Sequence, residues 1–313
     1  MERVVVALGG NALLHRGEDD TPELMRENAR RAAELIADVA AEGREVVVTH
    51  GNGPQVGRIL LQNEAARDIV HPMPLDVCGA ESQGQIGYLL QVSIGDVFFE
   101  RGMLERPVVT LLTLTRVRPD DPAFEHPTKP VGPYYLEADA KQFALERGWN
   151  VAASPEGGWR RVVPSPHPYS IVEAPVIRQL VESKAIVIAA GGGGVPVVEE
   201  GPNLVGREAV IDKDLAAAIL ARDVEAATLL ILTDVDGVYR DFASKAKRRK
   251  LDRLSVEDAR RMLEAGELGE GSMGPKVEAA AQFVESGGGR AVIAALEDMV
   301  PAAAGDAGTT ITT

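Results

Sequence analysis

The stretch AVIDKDLAAAILA, residues 209–221, places the triplet Asp212-Lys213-Asp214 directly before a run of alanine, leucine and isoleucine. Alanine and leucine favour helix, so this pattern predicts a helix that begins at the triplet. A lysine is poorly placed there, because the helix macrodipole favours negative charge at its N-terminus. An anion such as a phosphoryl group would account for it, since the ammonium group and the N-terminal N–H groups would bind the anion together. The alternative is a capping aspartate beside a solvated lysine.

Three other stretches each end an apolar run in a glycine-rich turn. They are Gly9-Gly10-Asn11, Gly51-Asn52-Gly53 and the run 191–194, which includes Gly192 and Gly193. Ligands of a doubly wound sheet bind at the carboxyl ends of its strands, and glycine lets backbone N–H groups approach an anion closely. The turns therefore predict one shared phosphate-binding edge, and the alternative is a purely structural use of glycine. None of them matches the P-loop or the GxGxxG pattern, which excludes those two nucleotide-binding classes.

Strand-like and helix-like stretches alternate along most of the chain, which predicts an α/β fold with a mostly parallel sheet and helices on both faces. A first strand is expected over residues 3–8, a helix from Pro22 after the capping residue Thr21, a long helix over 79–99 and a last strand over 309–312. These expectations place one large sheet at the centre of the molecule.

A proline-rich segment interrupts this pattern from 118 to about 170 and contains both tryptophans. A disordered insert would be poorer in aromatic residues, so the segment is interpreted as a small protruding subdomain. A Gly/Pro-rich connection then reaches Gly206. The predicted division is an N-terminal domain over 1–205, including this subdomain, and a C-terminal domain over 206–313.

The composition limits the compartment and the partners. The 313 residues carry a formal net charge of −14, which disfavours nucleic acid or an anionic membrane as a partner. No apolar run reaches the ~18 residues that span a bilayer. Cys78 is the only cysteine, so an intrachain disulfide is excluded and a cytoplasmic location is expected. An anionic substrate would need a local basic pocket.

Three lysines lie at breaks between predicted elements: Lys129 in the insert, Lys213 at the start of the helix above, and Lys276 at another helix start. Phosphoryl transfer requires mainly positioning and cationic stabilisation of the moving group. Two lysines at two helix N-termini would supply both, and Asp214 could hold their ammonium groups in place. For Lys129 and Lys276 the alternative is an ordinary exposed lysine.

Other polar features remain open or favour a plain interpretation. The turn 233–237 follows an apolar strand and could present polar groups to a nucleotide and acids to Mg²⁺, or it could be a simple turn. His15 and His50 lack metal-ligand spacing and are interpreted as polar loop residues. Cys78 has no flanking base, so it is not expected to be a catalytic thiol. The basic run 245–250 is interpreted as a solvated loop. The alternative is that it lies at the entrance of a nucleotide site and attracts the phosphates.

Seven stretches in order along the chain together resemble the carbamate kinases of the amino acid kinase family. They are ALGGNAL (7–13), THGNGPQVG (49–57), KPVGPYY (129–135), VIAAGGGGVPV (187–197), VIDKDLAA (210–217), ILTDVDGVY (231–239) and GSMGPK (271–276). The resemblance implies an open αβα sandwich whose N-terminal domain binds carbamate or carbamoyl phosphate and whose C-terminal domain binds ATP or ADP. It also implies a Mg²⁺-dependent reaction and a homodimer.

The resemblance also implies a role for each matching residue. Lys213 and Lys276 would neutralise the transition state, Asp214 would organise them, and Lys129 would reach in from the subdomain. The transferring phosphoryl group and the carbamate would lie among glycine and asparagine residues of the turns: Gly9, Gly10, Asn11, Gly51, Asn52, Gly53, Gly192 and Gly193. The nucleotide would contact a second set: Thr233, Asp234, Val238, Tyr239, Ser272, Met273 and Gly274. The Mg²⁺ ligands stay unassigned, with the nucleotide phosphates expected to hold most of the ion.

Two positions depart from the family pattern, because Glu81 and Gln85 stand where the family usually has methionine. This change concerns packing or dimer contacts, and it leaves the lysines untouched. The competing functions are another kinase of the same family, acting on a carboxylate or a phosphate, and a non-catalytic nucleotide-binding member. The Lys129 subdomain argues against the first, and the retention of three lysines and Asp214 argues against the second.

Overall fold

The structure is a computed structural model that describes residues 1–9, 21–155, 157–240, 248–268 and 273–313. Its α-helices are α1 (Pro22–Ala41), α2 (Gly53–Ala65), α3 (Leu75–Glu100), α4 (Glu137–Arg147), α5 (Ala174–Glu182), α6 (Lys213–Asp223), α7 (Val256–Glu264), α8 (Met273–Glu285) and α9 (Met299–Ala304). Its strands are β1 (Arg3–Leu8), β2 (Glu45–His50), β3 (Val108–Thr110), β4 (Leu114–Val117), β5 (Lys129–Tyr135), β6 (Asn150–Ala153), β7 (Trp159–Val163), β8 (Pro168–Ile171), β9 (Ile186–Ile188), β10 (Val195–Glu200), β11 (Asn203–Gly206), β12 (Thr228–Thr233), β13 (Val238–Arg240), β14 (Arg249–Leu251), β15 (Arg253–Ser255), β16 (Arg290–Ala295) and β17 (Thr309–Thr312).

An eight-stranded sheet in the order β15-β17-β16-β12-β1-β2-β9-β3 forms the centre of the molecule. Its pairs are parallel except that β16 and β17 run antiparallel. Alternate residues of β1 enter two separate cores, because successive side chains of a strand point to opposite faces. Val4 and Val6 pack with α1, α3 and α9, whereas Val5 and Ala7 pack with α5, α6, α7 and α8. The predicted αβα sandwich is therefore confirmed.

The carboxyl ends of four neighbouring strands meet at one edge of this sheet. In the register of β1, Leu8 lies opposite His50 of β2, and Ala7 lies opposite Ile231 of β12. In β9, Ile188 pairs with Val48 of β2. The described residues that follow these strands, among them Gly9, Gly51 and Gly191, are consequently adjacent in space, as the glycine pattern predicted.

The proline-rich insert forms a small unit beside the sheet. The chain enters the insert after β4 and leaves it through β8, and these two strands pair antiparallel. Within it, β5, β7 and β6 form a three-stranded sheet that is covered by α4. Tyr135, Phe143 and Trp149 pack ring against ring with centroids 5.1 to 6.2 Å apart. These aromatic contacts supply the core that the composition implied.

Two expectations about the elements are wrong. The connection predicted between residues 191 and 206 contains the antiparallel hairpin β10–β11, which joins β4 and β8 in a second sheet. Pro196 within β10 concealed this hairpin, because proline usually argues against a strand. The long helix α3 begins at Leu75, four residues before the predicted start at Gly79. Within the described ranges, no helix has both the length and the apolar character that a membrane crossing requires.

Candidate active site

The N-terminus of α6 is capped by Asp212. This residue has extended backbone angles (φ −65°, ψ 124°), and its Oδ1 accepts a hydrogen bond from the Asp214 N–H at 2.9 Å. Lys213 is the first residue of the helix. Aspartate is among the best N-cap residues because its oxygen satisfies one of the free N–H groups at the helix start. A capping aspartate, which the sequence offered as one interpretation of this stretch, is therefore observed at Asp212.

Asp214 joins two lysines from different helices, and these three residues are called the lysine clamp below. Its Oδ1 accepts from Lys213 Nζ at 2.8 Å, and its Oδ2 accepts from Lys276 Nζ of α8 at 3.1 Å. Asp214 is 3% exposed and Lys276 is 6% exposed. Burial by itself would raise the pKa of Asp214, but the two ammonium groups hold it below its usual value. The clamp therefore carries two positive charges against one negative charge in a buried place.

Lys129 of the insert contacts Asp212, the residue before the clamp residue Lys213. It is the first residue of β5, and its Nζ lies 3.1 Å from Oδ2 of Asp212. Lys129, Lys213 and Lys276 all line one cavity of about 930 Å³. The same cavity is lined by residues of two predicted turns: Gly51, Asn52, Gly53 and Gly192. The structure thus brings together lysines and glycine turns that are far apart in sequence.

The turn after β9 approaches the turn after β2 so closely that side chains are excluded. A Cβ at Gly191 would overlap the ring of His50, and a Cβ at Gly192 would overlap the amide of Asn52. Gly192 also has a positive φ of 66°, a region that favours glycine. The Asn52 amide itself donates to Ser82 Oγ at 2.8 Å. These glycines are therefore required by close packing at the edge that the cavity shares.

A buried polar network that the sequence did not reveal supports this turn. The side-chain amide of Gln83, on α3, donates to the Thr113 carbonyl at 3.1 Å and accepts from the Thr113 N–H at 2.9 Å. Thr113 Oγ1 in turn accepts from the N–H of Ala190 at 2.9 Å. Ala190 has the left-handed φ of 52°, and the network holds it there. A glutamine in the middle of a helix gives no sequence signal for such a role.

Among the residues that the structure describes, those predicted to contact a nucleotide do not line this cavity. Thr233 ends β12 and donates to Asp234 Oδ1 at 3.0 Å. Tyr239 donates its hydroxyl to Asp236 Oδ1 at 2.7 Å. The side chain of Val238 is fully buried in the core.

The remaining predicted site residues fall into two groups. Met273 and Gly274 form the first turn of α8, and Gly9 directly follows β1. The second group lies outside the described residues: Gly10, Asn11, His15, Ser272 and 245–247 of the basic run.

His50 is not a loop residue, contrary to the sequence interpretation. It is the last residue of β2 and is 1% exposed, with Nδ1 2.9 Å from the Gly51 carbonyl oxygen. Burial, with a smaller contribution from the charge of Lys213, lowers the pKa of His50 to about 4. The ring is therefore neutral near neutral pH and serves as a packing surface for the glycine turn. Cys78 is also buried, and burial raises the pKa of its thiol to about 11, consistent with an unreactive thiol.

The burial of His50 predicts how stability depends on pH. In the unfolded chain its pKa is about 6.5, whereas in the fold it is about 4. Between these values the unfolded state binds a proton that the native state does not, so the free energy of unfolding decreases as the pH falls through this window. The total loss is about 3 kcal/mol. Urea unfolding across the window should show a weaker pH dependence for His50→Gln than for the wild type.

The matched control is His71→Gln at an exposed position, which should keep the wild-type dependence. If His50→Gln also kept it, the assigned burial of a neutral ring would be wrong.

Comparison with known proteins agrees with this architecture. A model of the amino acid kinase family matches residues 2–295. The chain belongs to the amino acid kinase family.

Relatives that resemble the whole chain are named as carbamate kinases. The carbamate kinase of Pyrococcus horikoshii is 52% identical over 99% of both chains. The carbamate kinase of Haemophilus influenzae is 45% identical, over 99% of this chain and 96% of the relative. A solved structure of carbamate kinase from Giardia lamblia bound to AMP-PNP is 42% identical and superimposes with a TM-score of 0.92 over 99% of this chain and 98% of the other. Within the family, the chain groups with the carbamate kinases.

Proposed function

We propose that this chain catalyses reversible phosphoryl transfer between ATP and carbamate, giving ADP and carbamoyl phosphate. The observation that carries the proposal is the lysine clamp, which places two ammonium groups around one buried carboxylate in the wall of the cavity. The transferring phosphoryl group spreads negative charge over its oxygens, so catalysis depends on positioning and on fixed positive charge. The relatives named as carbamate kinases support this choice of substrate.

In this proposal each group in the cavity wall has a distinct task. Lys213 and Lys276 bind the moving phosphoryl group, and Asp214 keeps both ammonium groups at fixed positions before the reaction begins. Fixed charges need no reorganisation as the transition state forms, which is why preorganised charge stabilises it strongly. Asn52 and the backbone of the glycine turns bind the remaining oxygens of carbamate or carbamoyl phosphate: Gly9, Gly10, Asn11, Gly51, Gly53, Gly192 and Gly193.

Mg²⁺ is proposed to enter with the nucleotide. Both oxygens of Asp214 and both oxygens of Asp212 already accept hydrogen bonds or pair with lysines. No cluster of three or more potential metal ligands occurs among the residues that the structure describes. This donor set fits an ion that is held mainly by nucleotide phosphates. Such an ion would neutralise phosphate charge, with Thr233, Asp234, Tyr239 and the start of α8 on the nucleotide side.

The physiological role is proposed from the same chemistry. A kinase of this kind can make ATP from carbamoyl phosphate, as in the breakdown of arginine or related compounds, and the cytoplasm is the proposed location. The test is a coupled assay for ATP formed from ADP and carbamoyl phosphate in the presence of Mg²⁺. We expect turnover of carbamoyl phosphate in this assay. In the reverse assay, which measures consumption of ATP, we expect no turnover of acetylglutamate or isopentenyl phosphate. Absence of turnover with carbamoyl phosphate would favour another family activity or a non-catalytic nucleotide binder.

A homodimer is proposed through the exposed face of α3. Apolar side chains at four positions with helical spacing face outward, namely Val77, Tyr88, Val92 and Phe99, exposed by 37%, 64%, 45% and 74%. These four positions are separated by 11, 4 and 7 residues, which places them on one side of the helix, and β3 beside it is an edge strand of the large sheet. An exposed apolar face of this kind is typical of a subunit interface. Glu81, which is exposed, lies on the same face.

The dimer is tested by placing two negative charges on this face of α3. Tyr88→Asp combined with Phe99→Asp should convert a dimer into a monomer of 33.3 kDa, because unpaired charges cannot be desolvated in an apolar interface. Light scattering after size-exclusion chromatography measures the mass. Leu145→Asp on α4 is the control, because Leu145 is 89% exposed on a different surface. A wild-type monomer, or a double variant that stays dimeric, would refute this interface.

A further inference from the structure

Asp212 makes two contacts of different kinds with its two carboxylate oxygens. Oδ1 accepts from the Asp214 N–H and so starts α6, the helix that carries Lys213. Oδ2 accepts from Lys129 Nζ at 3.1 Å. Lys129 belongs to the insert and stands 83 residues earlier in the chain. One side chain therefore connects the insert to the first turn of the helix that contributes to the lysine clamp.

The insert is also tied to the rest of the molecule away from the clamp. Arg161 of β7 pairs with Glu208 at 3.2 Å, and Arg147 of α4 pairs with Glu64 of α2 at 2.8 Å. These four residues line a second cavity of about 470 Å³, and none of them lines the cavity that holds the lysines. The insert can stay attached through these pairs when the contact between Lys129 and Asp212 is removed. That separation allows the contact to be studied on its own.

We propose that Asp212 is a positioning residue for the reaction, because it holds the Lys129 ammonium group at the phosphoryl-transfer cavity at a fixed distance from the lysine clamp. This inference rests on the proposed function, since it assigns Lys129 to the binding of carbamoyl phosphate. The Lys129 side chain is 38% exposed and that of Asp212 is 20% exposed. A long, partly exposed lysine has many rotamers, and a charged hydrogen bond to a fixed carboxylate selects one of them.

The alternative for Asp212 is a purely structural cap, and the contacts themselves provide a way to separate the two roles. Asparagine caps a helix about as well as aspartate, but it carries no charge. Asp212→Asn therefore keeps the start of α6 and removes the ion pair with Lys129. Asp212→Ala removes both. A structural cap predicts normal kinetics for the asparagine variant, and a positioning residue does not.

The experiment is a double-mutant cycle with wild type, Asp212→Asn, Lys129→Ala and the combined variant, assayed for ATP formation. Lys129→Ala should raise the KM for carbamoyl phosphate about tenfold or more, with the KM for ADP changed by less than about twofold. Asp212→Asn should produce a large part of the same effect. The combined variant should be no worse than Lys129→Ala alone, because residues in contact have coupled effects. A midpoint of thermal unfolding that falls much less for Asp212→Asn than for Asp212→Ala would show that the helix cap is intact.

Glu208→Gln is the matched control, because it weakens another ion pair of the insert outside the clamp cavity. It should leave both KM values near those of the wild type. Normal kinetics of Asp212→Asn, effects that multiply in the combined variant, or an equal effect of Glu208→Gln would overturn the inference. An inactive wild type would instead refute the proposed function. If the wild type is inactive, the coupling between Asp212 and Lys129 is measured from the unfolding midpoints of the same four proteins. Additive shifts of the midpoint would count against the contact between these two side chains.

Discussion

Replacing Lys213 with alanine should lower kcat by about 10²- to 10³-fold, the loss typical for one preorganised donor of a charged transition state. Lys213 is the first residue of α6, so its ammonium group and the N-terminal N–H groups of the helix act on the same anion. Its Nζ is fixed by Asp214 at 2.8 Å, so the charge is already in place when the substrate binds. Steady-state kinetics of ATP formation from carbamoyl phosphate measure the effect.

The control for this variant is Lys141→Ala. Lys141 is a lysine of α4 with a side chain that is 62% exposed and paired with Glu137. The Lys141→Ala variant should keep full activity. This result would show that the loss of any one lysine charge is not sufficient to lower kcat. Near-normal turnover in a folded Lys213→Ala protein would remove Lys213 from the proposed mechanism.

Asp214→Asn should be the most damaging single change to stability at the site. The substitution keeps the shape of the side chain but leaves the ammonium groups of Lys213 and Lys276 without the carboxylate between them. Because Asp214 and Lys276 are almost completely buried, breaking this arrangement should cost about 3–5 kcal/mol of unfolding free energy. Activity should fall as well, since the two lysines then repel each other. Urea unfolding measures the first effect and the coupled assay the second.

A second substitution tests the cause of this loss. Adding Lys276→Met to Asp214→Asn removes one of the two lysine charges that Asp214 holds in the wild type, so it should recover part of the stability, while activity stays lost. Asp68→Asn, at an exposed position, serves as the control and should change stability by less than about 0.5 kcal/mol. A loss below about 1 kcal/mol for Asp214→Asn would contradict the charge arrangement described here.

The parts of the site that the sequence predicts are those with a local cause. Asp212, Lys213 and Asp214 are consecutive, so helix capping and the macrodipole single out this triplet before any fold is known. The glycine turns follow buried strands, and parallel strands bring their carboxyl ends to one edge. The central sheet follows from the same reasoning, because apolar runs buried on both faces are typical of parallel strands.

The parts that the sequence does not predict depend on contacts between distant residues. The pairing of Lys129 with Asp212 requires the insert to fold back across the cavity, and no spacing in the chain encodes that distance. His50 looks like a loop residue because it stands beside glycine and asparagine, yet the close approach of Gly191 buries it. The side-chain amide of Gln83 binds the backbone N–H and carbonyl of Thr113. Every residue except proline carries these backbone groups, so the sequence gives no signal for the contact.

The glycine turn after β9 also limits which sequences this fold can accept. Since a Cβ at Gly191 would overlap the ring of His50 and one at Gly192 would overlap the amide of Asn52, the two strand ends behave as one unit under substitution. A larger residue at 191 is tolerable only with a smaller one at 50, whereas the positive φ of Gly192 strains any side chain there even when residue 52 is smaller. Position 191 should therefore change only together with position 50, and position 192 should stay glycine, so a library that varies one turn at a time would recover few active members.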